Sequence, residues 1–400
     1  MAPEADVTAG KMQLQLAAGV GLLLAAGVLP VGAPADEGTA ATPSCEAALE
    51  RGCGPQRRED VFACARCAGQ RQQVLHAAGC DNDTIAAWCA GVAPPTFHVH
   101  PWPGGNTWES PVFSVLVGPP AAAQPSFVWY TAVDNRQPIV PGNNVPDTDR
   151  AKDTSYTMFD LAAPTLVTAR PKNASLTITT AAVLPSSAGI QAEIAAGGRS
   201  VGFTIDRPRQ VCLILNGNMD TPLCIFADPP EVDAPTGPAP GLIYFGPGVH
   251  RPGAINVTEN QSVYLAGGAH VYGQIRAAGV TWNGFWDGGT CDNVRVFGRG
   301  VLDGHSIPID FRAHAMIELP ACNNVRIEGI TTVDSPQYQI DNYAAGAQMR
   351  FVKAIAWAFS SDGWSGGEFS LVEDSFFKVN DDSVKLYSTG SVVQRSVIWQ

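Results

Sequence analysis

Charge is scarce in this 400-residue chain: 16% of residues are charged, and the basic side is the poorer, with 25 Lys and Arg against 37 Asp and Glu. The formal charge of −12 argues against nucleic acid or anionic lipid as the main partner, because those ligands call for basic patches. It says little about neutral sugars. The apolar stretch near the start, Leu14 to Leu29, holds roughly fifteen apolar residues where a membrane-spanning helix needs ~20. Runs without turn formers are few, since 41 glycines and 31 prolines punctuate the chain. That composition favours many tight turns over long helices.

What the N-terminus does carry reads as an export signal. Lys11 precedes the apolar stretch, and Pro30 with Val31-Gly32-Ala33 follows it, the order of a secretory signal peptide cleaved near Ala33. Met12 offers a second start with the same outcome. Six of the ten cysteines (Cys45, Cys53, Cys64, Cys67, Cys80, Cys89) fall in one short segment. In an exported module an even set of this kind reads as a disulfide framework. No second Cys-x-x-Cys or His-x-His follows Cys64 and Cys67 at metal-ligand spacing. Asn82, Asn173, Asn256 and Asn260 head Asn-x-Ser/Thr sequons, which agrees with secretion.

Four segments are expected: a signal peptide over 1–33, a disulfide module over 34–95, a β-sandwich over 96–236 and a last domain over 237–400. The module opens with a polar linker, 34–44, and reads as helical, with one helix over Glu59 to Leu75 and a second capped by Thr84. Short strand-like runs at Val112–Val117, Phe127–Ala132, Leu176–Thr179, Gly202–Ile205 and Val211–Leu215 alternate with Pro, Gly, Asn and Asp turns. Such spacing suggests an antiparallel sandwich, in which Cys212 and Cys224 are placed to pair. A proline-rich joint from Pro229 to Pro240 leads on.

The last domain repeats itself. Asn293-Val294-Arg295-Val296-Phe297-Gly298 is echoed at Asn324–Gly329, and variants follow at Gln348–Lys353, Phe369–Asp374 and Ser391–Ser396. The later units recur at about 21–24 residues with one short strand each, a solenoid signature. Neither a fixed leucine pattern nor a helix per unit is present, so a parallel β-helix is expected rather than a leucine-rich repeat. Gly304 to Pro320, with His305, Asp310, Arg312 and His314, reads as a loop inserted between rungs, either a solvated surface or a groove lip. The last repeat is unfinished at Gln400, so further rungs are expected beyond it.

Equivalent positions on successive rungs stack about 4.8 Å apart. Asp362 lies one repeat before Asp381-Asp382, so the repeat brings three acids together. Like charges at close range push one carboxyl toward its protonated form. Glycoside hydrolysis needs that split, one acid for the leaving oxygen and one base for water. Single aspartates in such turns are usually turn formers, and a calcium site would also cluster carboxylates. Both alternatives stay open on the residues alone.

Ser361-Asp362-Gly363-Trp364, Val372–Phe377 and Asn380-Asp381-Asp382-Ser383-Val384-Lys385-Leu386-Tyr387, with Ser335-Pro336 one rung earlier, resemble the β-helical glycoside hydrolases. These comprise the polygalacturonases and the dextranase–isopullulanase group (glycoside hydrolase family 49). The resemblance spans about Leu242 to Gln400, and a sandwich leading into a β-helix matches the dextranase layout. It implies a right-handed parallel β-helix and an inverting mechanism, with Asp381 as general acid and Asp362 with Asp382 holding and activating water. Ser-Ser-Asp and Asn-Asp-Asp stand here where polygalacturonases read Asn-Thr-Asp and Gly-Asp-Asp, and Lys385-Leu386-Tyr387 is closer to the dextranases. For Asp381 and Asp382 to face one groove, the strand must bend at them, because consecutive strand residues point to opposite faces.

Tyr338, Tyr343, Trp364 and Lys385 lie near the acids in the repeat frame. They are the candidate substrate contacts, with core packing the alternative for each aromatic residue. The expectation is a secreted, monomeric hydrolase of a polysaccharide, dextranase-like on an α-glucan, with no cofactor, no metal and no nucleic-acid or membrane partner. Polygalacturonase-like action on pectin is the second reading, and a non-catalytic glycan-binding protein is the third.

Overall fold

The computed structural model describes residues 44–57, 61–90, 96–105, 108–131, 154–279, 281–282, 286–287, 291–307, 315–358 and 360–399. The expected signal peptide and most of its linker lie outside these residues, as do Asp310, Arg312 and His314. Among the described residues no helix is long and apolar enough to cross a membrane.

Four short helices, Cys45–Arg57, Val61–Gln70, Gln72–Ala77 and Asn82–Cys89, enclose a small core of Leu49, Leu75, Ile85 and Trp88. The single helix expected over 59–75 is broken at Arg71. The cap of the last helix is Asp81 rather than Thr84: its carboxylate accepts the Thr84 N–H at 2.6 Å. Three disulfides, Cys45–Cys80, Cys53–Cys67 and Cys64–Cys89, staple the module. A core this small stabilises little, while each cross-link contributes about 2–4 kcal/mol.

Two facing sheets follow. One runs through Phe97–Val99, Thr154–Leu161, Leu223–Asp228, Arg209–Leu215 and Ala181–Leu184, with Val128–Thr131 beside Thr154–Leu161. The other holds Gln124–Ser126, Phe113–Val117, Thr165–Pro171, Val201–Ile205 and Glu193–Ile194. Inward side chains such as Phe113, Phe159, Val167, Phe203 and Leu213 fill the space between them. The sandwich is antiparallel except where Leu223–Asp228 runs parallel to Thr154–Leu161. Residues 176–179 are not a strand. Cys212 pairs with Cys224 across neighbouring strands.

From Leu242 onward the chain winds as a right-handed parallel β-helix. The first face stacks Leu242–Phe245, Ser262–Leu265, Arg295–Gly298, Arg326–Glu328, Gln348–Arg350, Leu371–Glu373 and Val392–Gln394. The second stacks the start of Ala269–Ala277 on Val301–Asp303, Thr331–Val333, Lys353–Ile355, Phe376–Lys378 and Val397–Ile398. The third stacks the end of Ala269–Ala277 on Ala315–Glu318, Tyr338–Asn342, Trp364–Gly366 and Val384–Leu386. One strand of this third face, Ala315–Glu318, lies inside the segment expected to be wholly loop. A disulfide that the sequence analysis did not address, Cys291–Cys322, ties two adjacent turns.

Each turn solves the same backbone problem. Gly329, Phe351, Asp374 and Arg395 occupy equivalent corners between the first and second faces, all left-handed with φ of 76°, 51°, 50° and 50°. Side chains rarely adopt that conformation, and here the corner N–H groups of Gly329, Phe351 and Asp374 donate to the next rung, at 3.0, 3.3 and 3.3 Å. Before the first face, Asn260, Asn293 and Asn324 are also left-handed, which asparagine tolerates. Their amides form a ladder, Asn293 Nδ2 donating to Asn260 Oδ1 at 3.0 Å and Asn324 Nδ2 to Asn293 Oδ1 at 2.7 Å.

The outer side of the second face packs against the sandwich. Val301, Val333, Ile355 and Phe376 meet Trp129, Tyr156, Met158 and Phe226. Polar fasteners flank this patch: Arg299 Nε donates to Asp160 at 2.7 Å, and Lys353 pairs with Asp228, both fully buried. This packing leaves the third face free of the sandwich's apolar sheet, and the acids stand at its edge.

Candidate active site

The third face owes its site to alternation. Ile275, Ile317, Ile340 and Trp364 point into the solenoid core, so their neighbours point outward. The registers Arg276↔Glu318, Glu318↔Asp341, Asp341↔Ser365 and Ser365↔Lys385 make those neighbours one row across five rungs. Trp364, a candidate sugar contact by sequence, is 1% exposed in the core and cannot stack on a ligand. The residue facing outward beside it is Ser365.

The turns leading into these strands carry the acids. Pairing continues into the turns: Gly363 N donates to Asp382 O at 2.9 Å and Trp364 N to Ser383 O at 3.1 Å. Asp362 and Asp382 are therefore stacked neighbours on consecutive rungs. Gly363 is required by this close approach, since a Cβ there would collide with the Ser383 carbonyl oxygen and the Phe377 ring. The backbone bends at Asn380 and Asp381, as the two adjacent acids need if they share one side. Asp381 Oδ1 accepts the Asp382 N–H at 3.0 Å. Both are exposed, whereas Asp362 is buried at 1%.

Lys385 joins the cluster from below. Its ammonium forms an ion pair with Asp362 Oδ2, stands 3.9 Å from Asp382 Oδ2 and lies 4.6 Å from the centre of the Tyr338 ring. An opposite charge in contact favours the ionised carboxylate. Among the described residues no set of three or more His, Cys, Asp or Glu side chains is arranged to hold a metal ion.

Tyr343 and Tyr387 form a rim, with ring centres 5.8 Å apart. Tyr387 is 61% exposed, a platform of the kind sugars stack on. Tyr338 remains half-buried beside Lys385. Burial pushes the Tyr338 and Tyr343 hydroxyls upward, with Asp341 adding to the effect, so both stay neutral donors.

Sequence reasoning missed Asp341, Glu318, Ser365 and Tyr387. Asp341 is fully buried, and burial raises its carboxyl to about 7. The signal was present in Tyr338-Gln339-Ile340-Asp341: an acid one place after a core isoleucine must face outward. Finding it required knowing the strand register.

No family model matches the chain. A dextranase of Arthrobacter sp. (strain CB-8) is 24% identical over 206 residues, covering 44% of this chain and 30% of that enzyme. A dextranase of Talaromyces minioluteus is 26% identical over 160 residues, covering 40% of this chain and 24% of that enzyme. The chain thus spans less than a third of the length of these curated relatives. Among solved structures, Dex49A from Penicillium minioluteum superposes with a TM-score of 0.57 at 19% identity, covering 76% of this chain and 68% of that one. The fold is shared. Dextranases are among its sequence relatives.

Proposed function

We propose that this protein is a secreted, monomeric hydrolase that cleaves an α-glucan of the dextran type with inversion at the anomeric carbon. The observation that carries the proposal is the stacking of Asp362 on Asp382 with Asp381 beside them at a bend, one lysine neutralising the buried member. In this reading Asp381, exposed and next to the groove, gives its proton to the leaving glycosidic oxygen. Asp362, held ionised by Lys385, and the exposed Asp382 orient a water on the opposite side of the sugar and accept its proton as it attacks. The glycosidic bond breaks as the water oxygen bonds to the anomeric carbon, and each carboxyl ends in the other's starting protonation state. Tyr387 and Tyr343 supply a surface for the sugar ring. No cofactor enters this scheme.

The commitment of Lys385 to Asp362 favours a neutral substrate over pectin, because the cation best placed for a uronate carboxylate is already paired. Reducing-end release from dextran, pullulan and polygalacturonate, measured on the whole protein and its Asp381→Asn variant, tests the reading. Release from dextran that falls about 10²–10⁴-fold in the variant is the expected result, the range for loss of one general acid. Glycan binding without release in either protein leaves a binding protein in place of the enzyme.

A further inference from the structure

A cavity of about 340 Å³ lies apart from the acids, where four stretches of the chain meet. Its walls come from the last helix of the disulfide module (Asp83), the start of the sandwich (Phe97, His100), the proline-rich joint (Glu231) and the first face of the solenoid (Tyr264). Tyr264 stands three rungs before the one that carries Asp362, and on another face. The volume falls in the lower part of the range for small-molecule sites, roughly 300–1,000 Å³. Among these lining groups His100 is the one that asks for a ligand. Its side chain is 8% exposed, and its Nε2 has no hydrogen-bond partner. Asp160 Oδ1 is 3.7 Å away, too far to bond, and already accepts from Arg299 at 2.7 Å. Gly267 makes room for the imidazole ring, since a Cβ there would collide with Nδ1. A buried ring nitrogen left without a partner is costly.

The remaining lining groups narrow the ligand class. Among the described residues no lysine or arginine lines the cavity, which disfavours an anion. Most of its acids are already engaged: Asp160 by Arg299, Asp81 by the Thr84 N–H, and Glu231 by the Tyr264 hydroxyl, which donates to Oε2 at 3.2 Å. A cation is therefore not called for either. Phe97, Pro230 and Pro235 add flat apolar surface. Burial keeps the His100 imidazole neutral, so Nε2 either donates or accepts. Hydroxyl groups, which do both, set around apolar C–H faces match this mixture, and that is the surface of a sugar. We propose that the cavity is an accessory saccharide site for about one or two neutral pyranose residues, with His100 Nε2 bonding one sugar hydroxyl. The disulfide module then has work of its own, because it supplies the wall that carries Asp83. A sugar held here leaves the acid groove free.

The site stands or falls independently of the hydrolase reading. The experiment is a titration of the whole protein, isotope-labelled in its histidine rings, with D-glucose and separately with the cationic D-glucosamine, followed by NMR. The His100 ring signal is assigned by its loss in His100→Gln. If that variant does not fold, the signal is assigned by its staying neutral down to about pH 4. D-glucose should shift this signal saturably. The shift should vanish in Ala162→Trp, since Ala162 is exposed and lines the cavity, and a large ring there fills the space without entering the core. Reducing-end release from dextran should be the same in Ala162→Trp as in the unmutated protein, which separates this site from the acid groove. No shift of the His100 signal with D-glucose, or a shift that persists in Ala162→Trp, overturns the inference. A response to D-glucosamine alone also overturns it and makes the cavity a site for cations.

Discussion

Lys353 and Lys385 stand on adjacent faces of one solenoid, each against an aspartate, and their surroundings give them different work. Lys353 and Asp228 are both wholly buried where the second face meets the sandwich, with the Gly329 carbonyl accepting a further bond at 2.8 Å. Burial lowers the lysine's basicity and Asp228 opposes that. Lys385 has a 15% exposed side chain, and its partner Asp362 stacks directly on Asp382, whose side chain is 65% exposed. The first pair is sealed from solvent, with Gln210 Nε2 also donating to Asp228 at 3.2 Å. The second has an exposed acid at its lip, where a substrate can arrive. An ion pair placed between two bodies fixes their relation, whereas one placed beside an exposed acid acts on that acid's charge.

Three variants, two single and one double, sharpen or break this contrast. Lys385→Met should have the largest effect, on rate: without the ammonium, ionised Asp362 is disfavoured. Turnover of dextran then falls about 10²-fold or more near neutrality, with the acid limb displaced upward. Equal turnover in this variant would make the pair structural after all. Asp228→Ala should instead act on stability, costing about 3–5 kcal/mol because a buried ammonium loses its partner, read as a lower midpoint in urea. The double replacement Lys353→Met with Asp228→Leu should recover most of that loss, since apolar groups of similar size fill such sites without the desolvation cost.

The smallest effect concerns Glu231, near the same interface, where burial raises the carboxyl to about 7 and the Tyr264 hydroxyl donates to it at 3.2 Å. A folded-state value above the unfolded one means that the stabilising contribution is complete below about pH 4.5. It is lost as pH rises toward 7. Glu231→Gln should remove that fall and leave the opposing rise due to His100, as followed by thermal melting from pH 4.5 to 7.5. His100 works in the opposite direction, since burial lowers it to about 4 and its contribution fades as pH falls from about 6.5 to 4. The Glu231 variant therefore leaves the acid side of the curve steeper than the neutral side.

The repeat made the solenoid and its acid cluster legible, because a period places residues next to one another without any knowledge of tertiary packing. Asp362, Asp381 and Asp382 emerged that way. The same period could not tell inside from outside. Trp364 looked like a sugar platform and is core, while Asp341, two strand positions beyond Gln339 and fully buried, looked like nothing. Parity along a strand is set by which neighbour packs inward, and short three-residue strands carry too little alternation to reveal it. The strand Ala315–Glu318 was hidden for a related reason: the residues before it break the repeat length, so its register with Tyr338–Asn342 has no sequence signature. The sandwich's longest strand, Thr154–Leu161, is buried along its whole length and so lacks the alternation by which a half-exposed strand is found.

The column of left-handed corners at Gly329, Phe351, Asp374 and Arg395 has a consequence for descent. Because every coil turns at the same place and hands its hydrogen bonds to the next in the same way, a whole coil can be duplicated or lost and the chain will still close on itself. Change by whole coils alters the length of the cleft while leaving the chemistry of the acids undisturbed. Length can thus change one coil at a time.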